Sequence, residues 1–145
     1  MKKILGMGNA LTDILVQLTD DAHLDKLGLP KGSMQLVDSA QNQSVQEYIA
    51  AMDKQMIAGG SAGNTMRGIA CLGGSAAFVG MVGKDNVADI FKTELENTGV
   101  NTLLFSSDVP SGPATTFISA DGERTFATHL GAAIGMCADH LTADM

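Results

Sequence analysis

Positive charge is scarce in this sequence. Nine lysines and arginines stand against sixteen aspartates and glutamates in 145 residues, a formal net charge of -7. Nucleic acid and anionic membrane surfaces are held through clustered Lys and Arg; no such cluster occurs, which excludes both as electrostatic partners. No apolar run reaches the roughly 20 residues that a membrane-spanning helix requires. Met1-Lys2-Lys3-Ile4-Leu5 has the basic start of a signal peptide, but Asn9 and Asp13 interrupt the apolar stretch and no clean small-residue cleavage site follows. Cys71 and Cys137 are the only cysteines, and they lack the spacing of a metal site. Both are expected to be reduced, Cys71 on an apolar helix face, in a cytoplasmic protein with no metal site of its own. Aromatic residues make up 4% and tryptophan is missing, while 45% of residues are hydrophobic. That balance fits a soluble α/β domain with a real core and is too apolar for disorder.

What is present reads as alternating strands and helices. Lys2 to Met7 predicts a buried strand, broken by Gly6-Met7-Gly8-Asn9 before a second strand, Ile14 to Leu18, with Asp13 at its entrance. A short acidic helix from about Asp20 to Leu27 stops at Gly28, and Leu29-Pro30-Lys31-Gly32 turns the chain into an extended stretch, Ser33 to Val37. Asp38 or Ser39 caps a helix to about Met52, whose Val45, Tyr48, Ile49 and Met52 share one face. Gln55 to Ala58 is a short strand, Ser61 is placed to cap the next helix, and Met66, Ile69 and Ala70 give that helix its buried stripe up to Gly73-Gly74. Ala76 to Val82 is a buried strand, and Val87, Ile90, Phe91 and Leu95 line a helix that ends at Gly99. Such alternation signals parallel strands crossed by helices. The pattern then changes. Ala114 to Ser119 and Arg124 to Thr128 flank Ala120-Asp121-Gly122-Glu123, where Asp-Gly marks an antiparallel hairpin. The architecture expected is an α/β core with a small β-sheet lid built from residues 14–37 and 114–128. Leu141-Thr142-Ala143-Asp144 reads as the start of a further helix, so the pattern resembles the first half of something larger.

The run Ala58-Gly59-Gly60-Ser61-Ala62-Gly63-Asn64-Thr65-Met66-Arg67-Gly68 joins a glycine turn to a helix. Two glycines let backbone approach a ligand closely, and the helix start supplies unpaired N–H groups with Asn64 in its first turn. A tight strand-to-helix connection without any ligand would use the same residues. Asp13 is harder to explain that way, because a carboxylate beside Ile14, Leu15 and Val16 is costly to bury unless something donates hydrogen bonds to it. Together they suggest a pocket for a polyol.

Gly8-Asn9-Ala10-Leu11-Thr12-Asp13, Gly32-Ser33-Met34-Gln35-Leu36-Val37-Asp38, the Gly59 to Asn64 run with Gly68, Leu72-Gly73-Gly74, Val82-Gly83-Lys84-Asp85 and Asp121-Gly122-Glu123-Arg124-Thr125 occur in an order that resembles the N-terminal half of a ribokinase-like kinase. This is the PfkB carbohydrate kinase family, and Gly28-Leu29-Pro30-Lys31-Gly32-Ser33-Met34 with the Gly-Glu-Arg-Thr hairpin is most similar to its adenosine-kinase-like branch. The resemblance implies a ribokinase-like three-layer α/β core with a parallel-rich sheet and a β-sheet lid. It also implies transfer of the ATP γ-phosphate to a hydroxymethyl group of a sugar or nucleoside of the adenosine, ribose or fructose type. By that resemblance Asp13 accepts hydrogen bonds from sugar hydroxyls, Asn64 binds another, and Asn9 with the Gly59-Gly60 backbone completes the floor. Arg124 matches an arginine that lies near the transferred phosphate in nucleoside-kinase relatives, which makes it a candidate phosphate contact, while an exposed hairpin salt bridge is its plainer role. His129 stands where relatives carry Asn and is expected to be structural.

The same resemblance implies a protein of about twice this length. The Gly-Ala-Gly-Asp signature with the general base, the ATP pocket and the acidic motif tied to Mg2+ all belong to the half that this sequence does not contain. Gly80 to Asp85 supplies no substitute, since a Walker loop needs Gly where Phe78 stands and Ser or Thr where Asp85 stands. The chain alone is therefore expected to be catalytically silent, with the missing half as a partner and a homodimer through the lid sheet as another way to cover open edges. Two rival readings remain. One is a dinucleotide site at Ile4-Leu5-Gly6-Met7-Gly8 after a strand, against which Leu11 replaces the third glycine and strand follows where a helix is needed, and which strong NAD binding would support. A non-catalytic sugar- or nucleoside-binding or interaction module would keep the polyol floor without the chemistry.

Overall fold

A computed structural model describes residues 3–142. Along the chain, β1 (Ile4–Met7) and β2 (Leu11–Gln17) precede α1 (Ala22–Leu27), β3 (Met34–Leu36), α2 (Ser39–Tyr48), β4 (Gln55–Ala58) and α3 (Ser61–Cys71). There follow β5 (Ala76–Val82), α4 (Asn86–Asn97), β6 (Asn101–Ser106), β7 (Gly112–Ile118) and β8 (Arg124–Thr128). Two 3-10 turns, Ala132–Gly135 and Ala138–His140, come last. Leu141 and Thr142 are irregular rather than helical, and the remainder of the expected helix start, like Lys2 of the first strand, lies outside the described residues. No described helix is long and apolar enough to cross a membrane.

Two sheets divide these strands. The first is wholly parallel, in the order β1-β5-β6. Its central strand is buried throughout, as a strand flanked on both edges and covered by helices must be. Helices α3 and α4 close its core, where Phe78 of β5 meets Phe91 of α4 edge to face at 5.3 Å between ring centres, with Met66, Leu95 and Val100 around them. The second sheet runs β3-β8-β7-β2-β4 and is mixed: β2 lies parallel to β7 and β3 parallel to β8, while β7–β8 and β2–β4 are antiparallel. On one of its faces Ile14, Val16, Phe117 and Ala127 pack with Leu24 of α1 and Val45 of α2 into a separate core.

Several local expectations are corrected. β2 begins at Leu11, so Asp13 lies inside the strand, paired with Ile57 on one side and Ala114 on the other. β4 joins the second sheet beside β2. The cap of α2 is Asp38, whose carboxylate accepts from the Gln41 N–H at 2.8 Å while Gln41 bonds back. That helix stops at Tyr48, so Ile49 and Met52 pack from the following turn. Ser61 is not a cap: the cap position is Gly60, and among the described residues no side chain accepts from the N–H groups at the start of α3. Cys71 is exposed rather than packed. β1 is not a buried strand either, for Ile4, Leu5 and Met7 are exposed and no described strand pairs with its outer edge.

Polar bonds at the start of α4 tie the two sheets together. Asp85, the cap of α4, accepts from the Ala88 N–H at 2.9 Å and from the Ser111 N–H at 2.8 Å, and the Ser111 hydroxyl accepts from the Gly83 N–H at 2.8 Å. Burial works against the charge of Asp85, but these donors outweigh it and hold the carboxyl below its usual range. Thr12 adds a second tie by donating from β2 to the Val87 carbonyl at 3.0 Å.

Candidate functional site

Strand alternation sends Leu11, Asp13 and Leu15 to the face of the second sheet opposite the α1–α2 core. Through the register that face also receives Ile57 from β4, Ala114 and Thr116 from β7, Arg124, Phe126 and Thr128 from β8, and Met34 and Leu36 from β3. It is largely uncovered at its far edge, where Met34 and Leu36 are 68% and 65% exposed. A carboxylate thus stands at one end of an apolar sheet surface.

The glycine turn is built against that carboxylate. Gly59 follows β4 and donates its N–H to the Leu11 carbonyl at 2.8 Å. A Cβ at Gly59 would overlap the Asp13 carboxylate, so glycine is required for the two to lie side by side. Gly60 takes a positive φ of 76°, and a Cβ there would sit 2.8 Å from the Asn9 carbonyl. The Gly8-Asn9 turn, the Gly59-Gly60 turn and the start of α3 therefore converge. At that start the first-turn N–H groups have no side-chain cap, and Asn64 is exposed, its N–H engaged with the Gly60 carbonyl at 2.9 Å. Asn9 is exposed on the same rim.

Asp13 is half-buried, and its carboxylate accepts no hydrogen bond from a described residue. Burial pushes its pKa above the usual carboxylate value, and the charge of Arg67 partly opposes the rise. Arg67 reaches back along α3 to donate to the Ala58 carbonyl at 3.0 Å, which fixes the last residue before the glycine turn. The structure thus brings together Asn9, Asp13, Gly59, Gly60 and Asn64. Arg124 lies apart from them, exposed at the start of β8, and no salt bridge to it occurs among the described residues. His129 places Nδ1 3.1 Å from the Val37 carbonyl, joining the end of β3 to β8.

Arg67, Thr116 and the apolar surface formed by Leu15, Phe126, Met34 and Leu36 were not singled out by sequence. Alternation within β2 alone puts Leu15 beside Asp13. The rest depends on parallel pairings between strands far apart in the chain, which carry no local signal. Among the described residues no group of three His, Cys, Asp or Glu could hold a metal ion. The Gly80 to Asp85 segment is the end of β5 and the cap of α4, with Asp85 already engaged by the Ala88 and Ser111 N–H groups.

Residues 31–142 match the family described as pfkB family carbohydrate kinase. The chain is 30% identical over 142 residues to adenosine kinase of Saccharomyces cerevisiae, covering 93% of this chain and 41% of the yeast protein. The crystal structure of adenosine kinase from Sinorhizobium meliloti superposes with a TM-score of 0.83 at 33% identity, over 97% of this chain and 42% of that one. Anopheles gambiae adenosine kinase, in complex with P1,P4-di(adenosine-5) tetraphosphate, gives a TM-score of 0.87 at 28% identity, over 97% and 44%. The chain thus spans about two-fifths of the length of the curated relatives it matches.

Proposed function

Because the chain belongs to the pfkB family of carbohydrate kinases, we propose that it is the acceptor-binding portion of an ATP-dependent kinase that phosphorylates the hydroxymethyl group of a nucleoside of the adenosine type. The observation that carries this reading is Asp13: a half-buried carboxylate that accepts from no described residue, lying against Gly59 where a side chain would displace it. An ionised carboxylate has acceptor sites for two neighbouring hydroxyls, and a sugar diol supplies them. Asn64 and Asn9 stand on the rim to take further hydroxyls, and the Gly59-Gly60 backbone forms the floor. The apolar surface running from Leu15 to Phe126 and Met34 favours a nucleoside over a bare sugar, since a flat base would cover it and a pentose would not.

In this reading the second sheet acts as a lid over the acceptor, comprising residues 14–37 and 114–128 with β4 added. Arg124 lies on the acceptor-facing side and is assigned to the transferred phosphate; its planar, permanently charged guanidinium suits phosphoryl oxygens. Bound ATP with Mg2+ would supply the phosphoryl group and charge neutralisation. We assign that site, and the base that deprotonates the hydroxymethyl group, to residues beyond this chain. The uncovered edge of β1, with Ile4, Leu5 and Met7 exposed beside it, is where the rest of the protein would continue the parallel sheet. Two free, exposed thiols fit a cytoplasmic setting.

The test is phosphorylation of adenosine by the full-length polypeptide that contains this chain, with Asp13→Ala beside it. Turnover should fall roughly 10²-fold or more, since two hydrogen bonds to a charged group are lost together, while circular dichroism stays unchanged. Near-normal turnover in the variant would overturn the assignment.

A further inference from the structure

The described residues contain two buried hydroxyls without a partner, Thr116 Oγ1 and Ser119 Oγ. Ser119 follows β7 at the hairpin turn, on the side of the sheet that faces α1 and α2. Thr116 lies on the opposite face, the one that bears Asp13, and is only 2% exposed. Its neighbours across the sheet are Leu15 on β2 and Phe126 on β8.

The contrast with three buried threonines on the opposite face of this sheet is instructive. Thr12 donates to the Val87 carbonyl at 3.0 Å, Thr115 accepts from Gln46 Nε2 at 2.9 Å, and Thr125 accepts from the Gly32 N–H at 2.9 Å. All three lie on the helix-packed side and are satisfied within the fold. Thr116 is flanked by apolar side chains on the open face and has no such partner. A buried hydroxyl left unpaired opposes folding, and a valine would fill the same space without that cost.

We propose that Thr116 is a specificity-determining residue whose hydroxyl hydrogen-bonds the heteroaromatic base of the nucleoside acceptor. The inference rests on the nucleoside reading given above. Ala114 is the neighbour of Asp13 across β2–β7, and Thr116 lies two residues further along the strand, about 7 Å away. That is the reach from a ribose hydroxyl to the polar edge of its base. Oγ1 is closed to solvent without ligand, so a base that shifts the Leu15 or Phe126 side chain as it docks would bring a ring or exocyclic nitrogen to it, and the hydroxyl can donate to a ring nitrogen or accept from an amino group. A bare pentose held at Asp13 would not extend to it.

Titration calorimetry of the full-length polypeptide containing this chain, with adenosine and with ribose, tests the assignment on wild type, Thr116→Val and Thr116→Ser. Thr116→Val should weaken adenosine binding about fivefold to tenfold and leave ribose within about twofold, while Thr116→Ser restores adenosine binding. Without ligand, the thermal midpoint of Thr116→Val should equal or exceed that of wild type. Unchanged adenosine affinity in Thr116→Val overturns the proposal. So does an equal loss for both ligands, or a valine variant that melts earlier or fails to fold, which would make the hydroxyl structural. Wild type that binds neither ligand would instead overturn the nucleoside reading itself, and the Thr116 assignment with it.

Discussion

At Asp13, the proposed function and stability pull in opposite directions. Burial raises the folded-state pKa of this carboxyl above its ordinary value, so the fold favours the protonated form. The stabilisation is then complete at acid pH and is lost as pH rises from the ordinary value through the raised one. At neutral pH the ionised group is therefore a liability to the ligand-free protein. Asp13→Asn should raise the ligand-free thermal midpoint at pH 7, and the gain should shrink toward pH 4; thermal melts of both proteins across that range check it. A lower midpoint for the variant at pH 7 would show that the carboxylate has a structural partner. Asp13 and the double glycine were legible in sequence because each is out of place by residue type, a charge in an apolar strand and a paired break before a helix. Arg67 and Thr116 were not, because an arginine on a helix and a threonine in a strand are ordinary. Only their surroundings set them apart: a carbonyl at the turn for one and an apolar, partnerless site for the other.

Among the elements, α4 is the one on which both sheets converge. Its cap Asp85 bonds the chain entering β7, its Val87 carbonyl receives Thr12 of β2, and its Phe91 fills the core against Phe78. Phe91 also lies 3.7 Å from where a Cβ on Gly63 would be, next to the first turn of α3. Phe91→Ala should cost about 3–5 kcal/mol, as large-to-small changes in closed cores do. The same change should weaken acceptor binding by loosening the seat of α3, and chemical denaturation with ligand titration measures both. At the other end of the molecule, Lys31 bridges Asp21 at 2.7 Å and Asp121 at 2.6 Å, joining the loop after α1 to the hairpin tip. Hydrogen bonds to Asp121 and Asp21 hold the lysine charged and both carboxyls below their usual range. The helices and the hairpin were readable because periodicity, caps and the Asp-Gly turn act within a few residues. The end of α2 was overrun because Ile49 and Met52 keep the helical spacing while packing from a turn. The expected Ser61 cap failed because the cap position falls on Gly60, which has no side chain to bond the first-turn N–H groups.

For the whole molecule, the uneven covering of the parallel sheet is the informative feature. β5 is buried throughout, whereas β1 leaves Ile4, Leu5 and Met7 exposed beside an open edge, an arrangement prone to pairing with another chain. The 145-residue chain by itself should phosphorylate no nucleoside, because the function proposed above gives it the acceptor site and assigns the base and the nucleotide site to residues beyond it. A coupled ADP assay on the isolated chain and on the full-length polypeptide checks this, and turnover by the isolated chain would overturn it. By itself the sequence determined the α/β class, the hairpin and the family, and it singled out Asp13 and the glycine turn, since composition, periodicity and short ordered motifs are local properties. Tertiary structure alone decided that β4 belongs with β2, that β2 runs parallel to β7 and β3 to β8, and which side of that sheet stays open. Those pairings join segments far apart in the chain through backbone hydrogen bonds that any residue can make, so the sequence carries no mark of them. They are also what places Thr116 and Phe126 on the same surface as Asp13.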